Sequence, residues 1–287
     1  MELPFELLDY IFGLLRSDTE SLIKCSQAHR SFYGIVNRHL FYHINILLFH
    51  VRLVASASPR YGYNLTLPHL IKLLSQKPQL VEHVRVLQID FDDRNQVQTP
   101  LFQRDSFKSL ASILPRFPAF ESIILNAPNR IAWEGSLPLN FRKVLGRCFQ
   151  LPTVQEVYAF RFQLPLHLVG TNPNIKFIFL SGSSPTPDDV DLPLLQLRSL
   201  SVNDIYGFSL RTFSTWAKRH TLQLQSLKCN YDEGDFVLGI LEACSNTLTD
   251  LDIDLTLPCE SLLAPFFSTQ AHSPTHSYSR YQQRVSM

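Results

Sequence analysis

Apolar positions along this chain follow two rhythms, one helical and one of short strands. Residues 3 to 15, LPFELLDYIFGLL, spread Leu7, Leu8, Ile11, Leu14 and Leu15 over roughly half of a helix circumference, with Pro4, Phe5 and Phe12 at the flanks. Glu6, Asp9 and Arg16 hold the other half, and Pro4 suits the first turn, where a missing N–H is no loss. A small helical unit needs an apolar stripe of only about 100° against its own core. The surplus predicts two different neighbours for this helix, one of them another protein. Next, Ser17-Asp18-Thr19-Glu20 has the S-x-x-E spacing of a capping box. It predicts a second helix from about Thr19 to Val36, with Leu22, Cys25, Ser26 and Phe32 on or near one side. Asn37-Arg38-His39-Leu40-Phe41 then turns into the extended HINILL.

The second rhythm is apolar-x-x-apolar-x-apolar, and it recurs down the chain. It begins at Phe41, Val84, Phe120, Val154, Ile175, Leu197, Leu224 and Leu248. Helix-like segments lie between most of these strands, at 67–76, 105–114, 139–148, 209–220 and 235–244. From Val84 onward the steps average about 27 residues, inside the range of about 20–29 for repeats that stack a strand and a helix. Two loops rich in Pro, Gly and Ser interrupt the series, SASPRYGYN (56–64) and SGSSPTPDD (181–189). The predicted class is α/β (α+β): a helical head over residues 1–46, then an irregular array of parallel strands and helices over 47–267. The tail, 268–287, has few apolar residues and no period and is expected to be disordered. An array of this kind needs its last repeat shielded, so either helix-like ESLLAPFF (260–267) does this or the array is cut short and its end is sticky.

Composition narrows the function classes. With 45% hydrophobic and 11% aromatic residues the chain can bury a sizeable core. A net charge of +1 and no dense Lys/Arg cluster give no footprint for nucleic acid. No apolar run is long enough for a membrane helix, and the acidic N-terminus does not read as a secretory signal, so a cytoplasmic or nuclear protein is expected. Cys25, Cys148, Cys229, Cys244 and Cys259 are odd in number and widely spaced, which suggests buried small hydrophobes, with neither a disulfide framework nor a zinc site. There is no G-x-S-x-G, Walker, G-x-G-x-x-G or H-E-x-x-H motif, and the ten histidines are scattered. No catalytic residue, metal or cofactor is expected, although Ser, His and Asp from distant positions could still converge into a dispersed hydrolase site.

In order, LPFELLDYIFGLL, LIKCSQAHRSFYGIV and HLFYHI closely resemble the F-box of ubiquitin-ligase substrate receptors. Leu3-Pro4, Glu6-Leu7-Leu8, Ile11-Phe12 and Leu15 match that family's first helix, Leu22, Lys24, Ser26 and Phe32 its second, and Leu40-Phe41 its closing Leu-aromatic pair. Phe32 and Phe41 replace the more usual tryptophans, His29 stands where a cysteine is common, and the turn before Leu40 is about two residues short. The resemblance implies that the head binds the Skp-type adaptor of a cullin-RING ligase. Leu3, Pro4, Leu7, Leu8, Ile11, Leu22 and Ser26 are the residues it carries over. The following array resembles degenerate leucine-rich repeats, with Asp92, Pro128, Phe162, Ser183, Ile205, Asp232 and Thr256 where regular repeats keep asparagine. Together they imply a substrate receptor of an SCF-type ubiquitin ligase. The alternatives are a leucine-rich-repeat scaffold without a ubiquitination role and, for the array alone, an ordinary α/β sheet domain.

Strand alternation also predicts which side chains stand on the open face of the array. Tyr158, Phe160, Phe177 and Phe179 come from successive strands and would lie side by side as an aromatic patch that holds a protein substrate. A register shifted by one residue would bury the same rings. Asp250, Asp252 and Asp254 would share one strand face, either as a solvated acidic rim or as a seat for a basic segment of the target. Calcium does not suit them, because Ser261 stands where the terminal glutamate of a calcium loop belongs.

Overall fold

Pro4, at φ −55° and ψ 146°, is already close to the φ that a helix needs and leads into α1 (Phe5–Leu14). The computed structural model describes residues 3–48, 63–91, 100–182, 185–186, 197–203, 223–230, 234–244 and 246–254. Two further helices, α2 (Thr19–Ala28) and α3 (Phe32–Leu40), complete the head. One continuous helix from Thr19 to Val36 was expected. The chain instead breaks at His29, whose backbone is extended (φ −153°, ψ 140°) and whose Nδ1 accepts the Ser31 N–H at 3.2 Å. An imidazole that captures a backbone donor offers the chain an alternative to the helical ladder. The capping role also shifts by one residue. Asp18, not Ser17, is the N-cap, and its carboxylate accepts the Ser21 N–H at 3.0 Å; the Ser21 side chain first and this N–H second hold its pKa below the ordinary value.

Two compact units make up the chain: residues 1–129 with 136–154, and residues 130–135 with 155–287. In the first unit the head is followed by β1 (His43–Leu47), β2 (Tyr63–Thr66), α4 (Leu67–Gln76), β3 (Val86–Asp90), α5 (Pro100–Ile113), β4 (Ser122–Ile131) and α6 (Leu139–Phe149). Its strands run parallel in the order β2-β1-β3-β4. β2 was not foreseen. Its four residues contribute one core side chain, Leu65, too little for a period to register. Phe41 and Tyr63 meet edge to face at 5.2 Å, Arg16 stacks over Tyr42 at 4.1 Å, and the Lys77 amine donates to the Tyr33 hydroxyl, so the head is tied to the strands it precedes.

The second unit carries β5 (Glu156–Phe162), α7 (Leu166–Gly170), β6 (Phe177–Ser181), β7 (Ser199–Asn203), β8 (Ser226–Asn230), α8 (Gly234–Cys244) and β9 (Asp250–Asp254). The ladder is parallel and sequential: Tyr158 pairs with Phe179, Phe179 with Ser201, Ser201 with Lys228, and Lys228 with Asp252. Along β5 and β6 buried and half-open residues alternate, so one side faces a core and the other is open. Strands in a sheet covered by helices on both sides would instead be buried continuously. On the core side, Val157, Ile178, Leu180, Leu200, Val202, Leu227 and Cys229 exclude solvent almost completely. The alternation flips once. Arg161 takes a left-handed φ of 52°, a conformation that costs about 1–2 kcal/mol for a residue with a Cβ. Phe162, of the same parity as Tyr158 and Phe160, is thereby turned into the core, where it meets Trp133 edge to face at 6.2 Å. The expected helix at 209–220, the segment 260–267 and the tail lie outside the described residues.

Candidate interaction surfaces

Helix α1 has two apolar sides. Phe12 is buried with Leu22, Ile35 and Val36, and its ring meets Phe32 edge to face at 5.4 Å. Leu8 and Leu15 pack against the same cluster. On the adjacent side Leu3, Leu7 and Ile11 are 54%, 43% and 37% exposed, and Tyr10 and Leu14 are more exposed still. At about 100° per residue Leu7, Tyr10, Ile11 and Leu14 fall within one stripe about 100° wide, and Leu3 stands just ahead of the helix. Pro4 is exposed at its base. Of the other sequence-predicted contact residues, Ser26 is half-buried and its hydroxyl donates to the Ile23 carbonyl at 2.7 Å. Leu22 is only 1% exposed. The break at His29 lets α3 fold back on α2 and close over Leu22, which is therefore a core residue and offers no surface to a partner.

The four predicted rings do stand together. Tyr158 lies 5.1 Å from Phe177 and 6.0 Å from Phe179, and Phe160 lies 5.0 Å from Phe179, centroid to centroid. All four are half-buried, while the residues between them, Val157, Ala159 and Ile178, are core. The Tyr158 hydroxyl donates to Glu156 at 3.2 Å. Burial first, and the Glu156 charge second, push the phenol up to about 12, so it stays a donor at neutral pH. Farther along the face the acidic strand is partnered across the ladder. Ser226 donates to Asp250 at 3.1 Å, and Lys228 pairs with Asp252 at 2.5 Å. The Asp254 side chain lies outside the described residues.

A polar cluster in the first unit escaped sequence reasoning. Asp90 on β3 accepts from Asn45 at 2.8 Å, Gln88 at 2.8 Å and Asn126 at 3.1 Å. Asn45, which is fully buried, also donates to Asn64 at 2.8 Å, and His43 pairs with Gln88 at 3.2 Å. Burial, opposed by Gln88 and Asp90, holds the His43 imidazole below its ordinary pKa. A polar residue, Asn45, inside the apolar run HINILL was the one local signal of this cluster.

Chemically, these surfaces suit binding. Burial pushes the thiols of Cys148 and Cys229 up to about 12 and that of Cys244 to about 11, too high for useful thiolate at neutral pH. Cys25 is half-buried, and Cys259 lies outside the described residues. Among the described residues no group of His, Cys, Asp and Glu could hold a metal ion, and no helix is long and apolar enough to cross a membrane. Compared with known proteins, the chain matches no family model and no curated protein.

Proposed function

We propose that this chain is the substrate receptor of an SCF-type cullin-RING ubiquitin ligase, with its helical head docked on a Skp-type adaptor, and through it a cullin, and its strand array holding a protein target. The single observation that carries the reading is the division of α1 into a buried side around Phe12 and an exposed apolar stripe of Leu7, Tyr10, Ile11 and Leu14, with Leu3 exposed just ahead of it. A ten-residue helix whose own core is already complete gains nothing from further apolar side chains in water. Burying each Leu or Ile fully would contribute about 1.5–3 kcal/mol to a complex. Pro4 stands exposed at its start and Leu8 borders it, while Leu22 supports it from within. The sequential parallel ladder with one open side is the arrangement that a leucine-rich-repeat-like array requires, which supports the second half of the reading. The chemistry would belong to other subunits, and this chain would act by raising the local concentration of a target lysine.

Capture of a purified Skp-type adaptor by the full chain tests the proposal. Wild-type protein should retain the adaptor and the double variant Leu7→Asp, Ile11→Asp should not, with unchanged circular dichroism. Failure of the wild type to bind, or retention by the double variant, overturns it. A protein that holds a target but no adaptor would be the scaffold without a ubiquitination role.

A further inference from the structure

The open face of the second unit is aromatic at one end and acidic at both. Glu156 accepts from Tyr158, whose ring packs beside Phe177 and Phe179, and Asp250 and Asp252 lie on the outermost described strand. Lys228, a cation on this face, is already paired with Asp252. Clustered ring faces beside a carboxylate attract a planar cation, because the ring quadrupole and the negative charge act in the same direction. Such a face repels polyanions and phosphorylated segments. Between the two ends, Ser201 is 5% exposed, and its hydroxyl has no hydrogen-bond partner. It sits in register with Phe179 on one side and Lys228 on the other. A buried hydroxyl left without a partner costs free energy that a ligand's peptide group can recover.

We infer that this face binds an extended basic peptide segment lying across the strands, with one arginine side chain on the Tyr158, Phe177 and Phe179 rings beside Glu156. Ser201 then meets the peptide backbone, and a second basic residue reaches Asp250. Four interstrand steps from β5 to β9, each about 4.8 Å, span about 19 Å. Extended chain covers that distance in about six residues at about 3.4 Å each, so the two basic residues stand about six apart. This assignment rests on the reading of the array as the target-holding part of a receptor and names the chemistry of the target.

The test uses the full chain and libraries of labelled decapeptides with arginine fixed at positions 2 and 8 and all other positions degenerate. Matched libraries carry citrulline, which keeps the shape and lacks the charge, or glutamate. The arginine library should be retained at least about fivefold more than the citrulline library, and Glu156→Gln should reduce that ratio to within about twofold. Ser201→Ala should weaken retention severalfold without changing the arginine preference. Equal retention of arginine and citrulline, preference for glutamate, or no retention of any library overturns the assignment. Adaptor capture is measured on the same preparations. Its loss with arginine preference intact sinks the ligase reading alone, and the converse result sinks only the basic-peptide assignment.

Discussion

His39 Nε2 and Asp9 Oδ1 lie 3.0 Å apart and join α3 to α1, while Arg16 Nε donates to His39 Nδ1 at 2.9 Å. Because the guanidinium is a donor only, Nδ1 must be the acceptor, and the ring's one proton sits on Nε2 facing Asp9. The pair therefore holds a neutral imidazole. Protonation would turn Nδ1 into a second donor aimed at Arg16.

Stability of the first unit should fall on mild acidification. Burial lowers the His39 pKa from 6.5, with Asp9 opposing and Arg16 and Arg38 assisting, and burial likewise lowers His43 and His83. In each case the unfolded chain takes up a proton first. Their contribution is thus complete above about pH 6.5 and is lost as pH falls from there toward the lowered folded values. Urea midpoints at pH 7.5 and 5.5 should differ in that direction, and His39→Gln should reduce the difference. A midpoint that rises on acidification would contradict the assigned tautomer.

The two sides of α1 should respond oppositely to truncation. Phe12→Ala removes a buried ring and its edge-to-face contact with Phe32, and should cost about 3–5 kcal/mol in denaturant unfolding. Ile11→Ala, at an exposed position one residue away, should cost under about 1 kcal/mol. Adaptor capture should show the reverse for Ile11, with binding weakened in a protein that stays folded.

Asp90 should matter more than its place at the end of a strand suggests. Asp90→Ala leaves the buried Asn45 amide short of an acceptor and deprives Gln88 and Asn126 of theirs, a loss of about 1–3 kcal/mol for each donor left unsatisfied without water. Asp90→Leu should be no better, because it keeps the branched shape and still removes the acceptor. Denaturant midpoints of the two variants should fall together, and a neutral result would mean that solvent satisfies the cluster.

Much of this fold could be read from the sequence because strand repeats write their period locally. Eight strands were expected and all eight are present, each beginning two residues after the first apolar position of its motif. Most of those leading residues, among them Val84, Phe120, Val154 and Ile175, lie just outside the strands and are nonetheless fully buried, which makes the motif longer than the strand it marks. Features that depend on one local capture or on residues from distant positions were not legible. The His29 break rests on one imidazole capturing one N–H, β2 rests on pairing with β1 across nineteen positions, Ile44 to Tyr63, and Leu22 is core because α3 folds back over it. The aromatic face was legible because two strands of period two place Tyr158, Phe160, Phe177 and Phe179 on the same side, whatever surrounds them.

Register makes the last prediction sharp. Phe177 and Phe179 alternate with Ile178 and Leu180, which are almost fully buried, so neighbouring substitutions on one strand sample opposite faces. Phe177→Ser with Phe179→Ser should leave a folded protein, remove the ring cluster and abolish retention of the target. Ile178→Ser alone should cost about 3–5 kcal/mol, since it opens a cavity and buries a hydroxyl. Thermal unfolding and target capture measured on both variants decide the matter. If the double phenylalanine variant melts as the isoleucine variant does, the rings are core and both sides of the strand are structural.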